Sequence, residues 1–144
     1  MKVVTIDFAG APVAKGRARF AMRGAGQRPI AYTPANTRKY EDALRYAAQQ
    51  AMAGRSLLTG PLTVSVTACL PIPKSFSKKK HTQAQLGEVL PTKRPDVDNY
   101  GKTALDALNC VVFADDSQVI ELSIRKFYHD RPSLLIEVTT MEAA

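Results

Sequence analysis

The chain has 144 residues, 45% hydrophobic and 23% charged, with 20 Lys and Arg against 13 Asp and Glu. That length suits one domain able to bury about two-thirds of its unfolded surface without a metal or disulfide staple. Two cysteines are too few for a disulfide framework, and collagenous, coiled-coil and wholly disordered classes are excluded by composition.

Residues 2–8 are β-branched and partly alternating, which predicts a first strand ended by Gly10 and Pro12. Residues 13–33 carry Lys15, Arg17, Arg19, Arg23 and Arg28 among three glycines with no acid, the composition of an open basic arm. Thr33 as N-cap and Pro34 as first helical residue open a helix to about Ala53, with Tyr40, Leu44, Ala47, Ala48 and Ala51 on one stripe. Leu62, Val64, Val66, Ala68 and Leu70 alternate along one strand face, closed by Pro71 and Pro73.

Residues 74–94 read as a long polar loop holding Lys74, Lys78, Lys79, Lys80, Lys93 and Arg94. Asp98–Asn109 predicts a second helix with Tyr100, Ala104, Leu105 and Leu108 as its apolar stripe. Val111–Phe113 is short and apolar, either a core strand or a dimer contact, and a turn-like Ala-Asp-Asp-Ser follows. Val119–Tyr128 and Ser133–Thr140 predict two closing strands. The whole of 1–144 is expected to be one α+β domain: a mixed sheet of about four strands, two main helices on one face. Cys69 and Cys110 sit in apolar runs and are expected as reduced core residues. No basic-then-apolar leader pattern and no apolar run near 18 residues is seen, so a cytoplasmic protein is expected.

The net charge is +7, which favours a polyanionic partner such as nucleic acid. Its distribution is uneven. Residues 96–116 hold five acids (Asp96, Asp98, Asp106, Asp115, Asp116) and one base, Lys102, so this window is four units negative and the remainder eleven positive. Asp96 and Asp98 stand at the mouth of the second helix, and Asp116 starts the next strand. If the chain reverses so that they meet, three carboxylates need a cation, and hard oxygen ligands suit Mg²⁺. Lys102 follows Asp98 by one helical turn and could steady an attacking water or a leaving oxygen.

The plainer reading stands beside it: Asp96 as a helix cap, Asp115-Asp116 as a turn, Lys102 as a solvated lysine, Asp106 as its surface partner. His81 and His129 read as surface residues, and there is no zinc spacing, Walker loop or hydrolase nucleophile motif.

The segment Arg94-Pro-Asp-Val-Asp-Asn-Tyr-Gly-Lys-Thr-Ala-Leu-Asp-Ala-Leu108, followed by Asp115-Asp-Ser-Gln-Val119, resembles the signature of the RusA family, K/R-P-D-x-D-N-x-x-K-x-x-x-D-x-L and then D-D-x-Q-V. Weaker agreement lies at Pro12–Phe20, Tyr32-Thr33-Pro34 and Pro71–Phe76. These are Holliday junction resolvases common in phages and prophages. The resemblance implies a homodimeric endodeoxyribonuclease that uses Mg²⁺, with Mn²⁺ as substitute, to cut a four-way junction symmetrically in recombination and repair. It implies no nucleotide cofactor and no membrane, and a place at the nucleoid of a bacterium or phage-infected host.

On that pattern Asp96, Asp98 and Asp116 are the metal carboxylates and Lys102 the catalytic lysine, while Asp115 and Asn99 support them. Asp106 and Gln118 match the pattern as supporting residues. Lys15, Arg17, Arg19, Arg23, Arg28, Lys74, Lys78, Lys79, Lys80 and Arg94 are expected to contact DNA phosphates. Two other functions remain open at this point: a non-catalytic DNA-structure-binding protein, and a nuclease for flaps or forks.

Overall fold

The structure is a computed structural model that describes residues 1–16, 19–21, 24, 26, 30–32 and 34–141. Strand β1 (Val3–Ala9) buries Val4 and Ile6 and turns the intervening residues outward. It pairs antiparallel with β6 (Ser133–Thr140), Ile6 opposite Ile136. On its other side β6 pairs antiparallel with β4 (Leu62–Pro71), Val66 again opposite Ile136. β4 runs parallel to β5 (Val119–His129), giving the order β1-β6-β4-β5. A parallel pair needs a long crossover, and the chain between β4 and β5 supplies it.

Helix α1 (Ala35–Met52) buries Leu44, Ala48 and Met52, one residue per turn. A second helix, α2 (Lys78–Gln85), and a third, α3 (Val97–Leu108), lie within the crossover. α3 buries Tyr100, Ala104 and Leu108 along one stripe, with Gly101, Thr103 and Ala107 beside it. Tyr100, Ala104, Ala107 and Leu108 join Val64, Val66 and Ala68 of β4 and Leu134, Ile136 and Val138 of β6 in one apolar core. The opposite sheet face is polar over part of its area, where Thr63, Ser65, Glu121, Ser123, Glu137 and Thr139 line a shallow cleft. An antiparallel or mixed sheet can leave one face to water in this way. α3 approaches the sheet so closely that a Cβ on Gly101 would overlap the end of the Ile124 side chain. Any larger residue there would force the end of Ile124 to shift.

The α+β class, the mixed four-stranded sheet and the two main packed helices agree with the expectation from sequence. Five details differ. The arm is not wholly open: β2 (Arg19–Ala21) and β3 (Ile30–Tyr32) pair antiparallel within it. Thr33, expected as the α1 cap, lies outside the described residues; Pro34 has extended ψ (145°) and precedes the helix instead of starting it.

The polar loop contains α2, which buries only Ala84 and so shows no apolar stripe; Ser77 Oγ caps it by accepting from Lys80 N at 3.2 Å. Val111–Phe113 forms no strand: Cys110 turns the chain at φ 64°, and Val112 and Phe113 are fully buried. Both are thus core residues of one chain and unavailable as a dimer contact. The two cysteines are unpaired, but Cys110 is exposed and Cys69 half-buried, so neither is a true core residue. Among the described residues no helix is long and apolar enough to cross a membrane.

Candidate active site on the third helix

The third helix presents Asp98, Lys102 and Asp106 on one face, four residues apart each time. At its N-terminus Asp96 occupies the capping position with extended backbone (φ −68°, ψ 148°), yet its side chain makes no capping hydrogen bond. The backbone does that work: Asn99 N donates to Asp96 O at 3.1 Å. Both carboxylates, of Asp96 and Asp98, are exposed. A cavity of about 260 Å³ is lined by Arg94, Pro95, Asp96 and Asn99. Lys102 Nζ stands 3.8 Å from Asp98 Oδ2, and both side chains are more than 60% exposed (63% and 62%). Lys102 thus pairs back towards the helix start, and not with Asp106 as the sequence suggested.

Asp106 has another partner. Lys15 Nζ lies 3.0 Å from Asp106 Oδ2 and 2.6 Å from Glu41 Oε1 of α1. The Lys15 backbone N–H also donates to Asn99 O at 2.9 Å, beside the α3 carboxylates. Partial burial pulls the Lys15 pKa down, but the hydrogen bonds to Glu41 and Asp106 outweigh it and the net shift is upward. Lys15 is therefore a strut between the arm, α1 and α3, a placement no local pattern in the sequence signals.

The Asp115-Asp116 pair separates into two environments. Asp115 accepts from Ser117 Oγ at 2.6 Å, and that bond holds its carboxyl below the usual range. Asp116 opens a single 3-10 turn (Asp116–Gln118); burial first, then the neighbouring Asp115 and Asp106 charges, push its pKa up. Gln118 fixes this corner: its Oε1 accepts from Ala114 N and Asp115 N, and its Nε2 donates to Leu58 O and Gly60 O at 3.1 Å. Asp116 thus feels Asp106, which continues the row begun by Asp98 and Lys102. Among the described residues no three His, Cys, Asp or Glu side chains converge closely enough to hold a metal. The donor set that remains at the helix mouth, two exposed carboxylates, fits Mg²⁺, which takes one or two protein carboxylates and completes its shell with water and substrate phosphate.

Arg45 of α1 donates to Asp106 O and Ala107 O, a cation at the negative end of α3. Lys126 of β5 donates to Lys93 O and Pro95 O, just before Asp96. Neither was anticipated. For Lys126 there was a faint signal, since a lysine between Ile124 and Tyr128 breaks the apolar alternation of its strand.

The basic residues fall in three groups. Lys74, Lys78, Lys79, Lys80 and Arg94 are exposed. Arg19 lies in β2, and Arg17, Arg23 and Arg28 lie outside the described residues. α2 is docked on the β5–β6 turn: His81 Nε2 is 3.3 Å from Asp130 Oδ1, and Gln85 donates to Asp130 Oδ2 at 2.6 Å. Phe76 stacks edge-on against Tyr128, and Lys80 Nζ lies 4.2 Å above the Phe76 ring. His129 sits at the surface, its Nδ1 accepting from Arg131 N.

Comparison with known proteins gives two findings. Residues 9–139 match the family described as endodeoxyribonuclease RusA, nearly the whole chain. A Bacillus subtilis (strain 168) protein named "Uncharacterized protein YqaN" is 35% identical over 145 residues, spanning 99% of this chain and 100% of that protein.

Proposed function

The chain belongs to the RusA endodeoxyribonuclease family, and from that premise we propose that it cuts four-way DNA junctions by Mg²⁺-dependent phosphodiester hydrolysis, as a homodimer, in DNA recombination and repair. Asp96 and Asp98 would hold the metal, with Mn²⁺ an acceptable substitute; Asp116 is the third carboxylate on the family pattern, although it does not converge with them in this structure. Lys102 is the catalytic lysine. A cation held there supplies charge neutralisation at the phosphoryl group.

In the reaction a water oxygen joins phosphorus, one P–O ester bond breaks, and a proton ends on the departing alkoxide. The Lys102 ammonium, exposed beside Asp98, is suited to stabilise that developing charge. Asp115, already engaged by Ser117, and Asn99 support the carboxylates.

The observation that carries this reading is the Asp96 side chain. An aspartate at a helix N-cap ordinarily accepts from the first-turn N–H groups; here it makes no such bond. A purely structural acid would be spent on the cap, as Asp115 is spent on Ser117. The alternative, a non-catalytic DNA-binding protein, gives no reason for an Asp96 side chain that leaves its cap unmade. Lys74, Lys78, Lys79, Lys80, Arg94 and the arm arginines offset the repulsion between DNA phosphates and the acids, and symmetric cutting calls for a twofold pair of sites. Such an activity would act in the cytoplasm, at the nucleoid.

The test is a labelled immobile four-way junction incubated with the protein, with and without Mg²⁺, beside the Asp98→Asn variant. Paired symmetric nicks that need Mg²⁺ and vanish in the variant, with junction binding retained, are expected. Tight binding without cleavage in Mg²⁺ or Mn²⁺ sinks the reading, and preferential cutting of flaps or forks changes its substrate.

A further inference from the structure

Lys126 lies on β5 opposite Ala68 of β4, and Ala68 is fully buried on the core side of the sheet. A lysine at that position must lead its ammonium out of the core. It leads it to the chain segment that enters α3: Lys126 Nζ donates to Lys93 O at 2.8 Å and to Pro95 O at 3.0 Å. Among the described residues Lys126 forms no ion pair with a carboxylate, so its charge is directed at two carbonyl oxygens. Charge-assisted bonds of this kind are shorter and stronger than neutral ones.

The next residue after Pro95 is Asp96, and Asp98 follows in the first helical turn. Beyond them the helix is fastened again, where Asn99 O accepts from the Lys15 backbone N–H at 2.9 Å and from Thr103 Oγ1 at 3.2 Å. The two carboxylates therefore occupy a short stretch tied to β5 on its entry side and to the base of the arm on its exit side. The three lysines around α3 are used differently. Lys15 and Lys126 are engaged within the fold, whereas Lys102 is exposed.

We propose that Lys126 is a positioning residue for the cleavage reaction: by tying the carbonyls of Lys93 and Pro95 to β5, it sets the direction from which the Asp96 and Asp98 carboxylates meet their cation and the scissile phosphate. The inference rests on the catalytic role of Asp96 and Asp98 proposed above. Reactive constellations tolerate only about 0.5 Å of misplacement, so a tether one residue from the first carboxylate acts on rate without touching the substrate.

Lys126→Met and Lys126→Arg test it on the full-length protein. The readouts are junction cleavage at saturating DNA, junction affinity without Mg²⁺, the Mg²⁺ concentration for half-maximal cutting, and amide hydrogen exchange over residues 93–99. Lys126→Met is expected to lose about 10- to 100-fold in kcat and to need more Mg²⁺, with junction affinity unchanged. Lys126→Arg, whose guanidinium can still reach two carbonyls, restores most of the rate.

Unchanged kcat in Lys126→Met overturns the proposal. So does a loss confined to junction affinity, which would make Lys126 a DNA contact. A fall in melting temperature with normal kcat per folded molecule also overturns it, since that marks a merely structural lysine. Hydrogen exchange reads the tether without any activity. Faster exchange confined to 93–99 in Lys126→Met supports the tether even if the wild-type protein cuts no junction, and unchanged exchange there overturns it.

Discussion

The Lys15 ammonium stands 3.0 Å from the Asp106 carboxylate, joining the base of the basic arm to the exposed row of α3. With Glu41 at 2.6 Å the lysine is shared by two acids, and the Lys15 and Glu41 side chains are only 23% and 12% exposed. Removing it as Lys15→Met leaves Glu41 half-buried and uncompensated, and is expected to cost about 1–2 kcal/mol of stability, discounted for the exposure of Asp106. The folded-state pKa of Lys15 is raised above its ordinary 10.5. Its contribution is therefore complete at neutral pH and lost only as pH climbs through that raised value. Melting curves should show a constant gap between wild type and variant near neutrality that closes in strong alkali. Because the ammonium is already engaged, the salt dependence of junction binding should not change.

Lys102 makes the contrasting case, for it is exposed and its partner Asp98 is 3.8 Å away. Lys102→Ala is expected to lower single-turnover cutting roughly 100-fold while stability and junction affinity hold within about twofold. Normal turnover by this variant would remove Lys102 from the chemistry.

Asp116 carries a pKa raised first by burial and then by Asp115 and Asp106. An acid whose folded pKa is raised binds its proton more tightly in the native state, so stability falls as pH rises through the interval between the unfolded and folded values. The cost is present at neutral pH. Asp116→Asn should therefore melt at or above the wild-type temperature at neutral pH, and the advantage should vanish as the solution is acidified past the usual carboxylate range. Cutting should be lost at the same time. A variant that melts lower at neutral pH would contradict the sign.

α2 carries Lys78, Lys79 and Lys80 in its first turn with no acid to offset them. If these lysines meet phosphates, each neutralised contact releases a counterion, and the Lys78→Ala/Lys79→Ala protein should reduce the slope of log affinity against log salt by about two. Titrations of the junction at several salt concentrations measure that slope. An unchanged slope would mark the lysines as a solvated face; kcat at saturation should be unaffected, since neither lysine touches the α3 carboxylates.

Much of the fold was legible because its signals are local. Alternation from Leu62 to Leu70 marked β4, and the spacing of Tyr100, Ala104 and Leu108 marked the buried stripe of α3. The same helical period placed Asp98, Lys102 and Asp106 on one outward face. α2 escaped detection because only Ala84 is buried, so its polar residues carry no periodicity to read. Val112 and Phe113 were ambiguous because an apolar run says that a segment is buried, not that it is extended.

By itself the sequence determined the α+β class, the acidic island in a basic chain, and the helical registry of the candidate catalytic residues, since each depends on neighbours a few bonds or one helical turn away. Only the tertiary structure decided which lysine serves which acid. It gave Asp106 to Lys15 instead of Lys102, turned Lys126 onto the backbone that leads into Asp96, and locked the Asp115–Asp116 corner through Gln118. These are contacts between residues far apart in the chain. Their partners are chosen by the path the sheet and helices impose, and side-chain type alone leaves many pairings equally open.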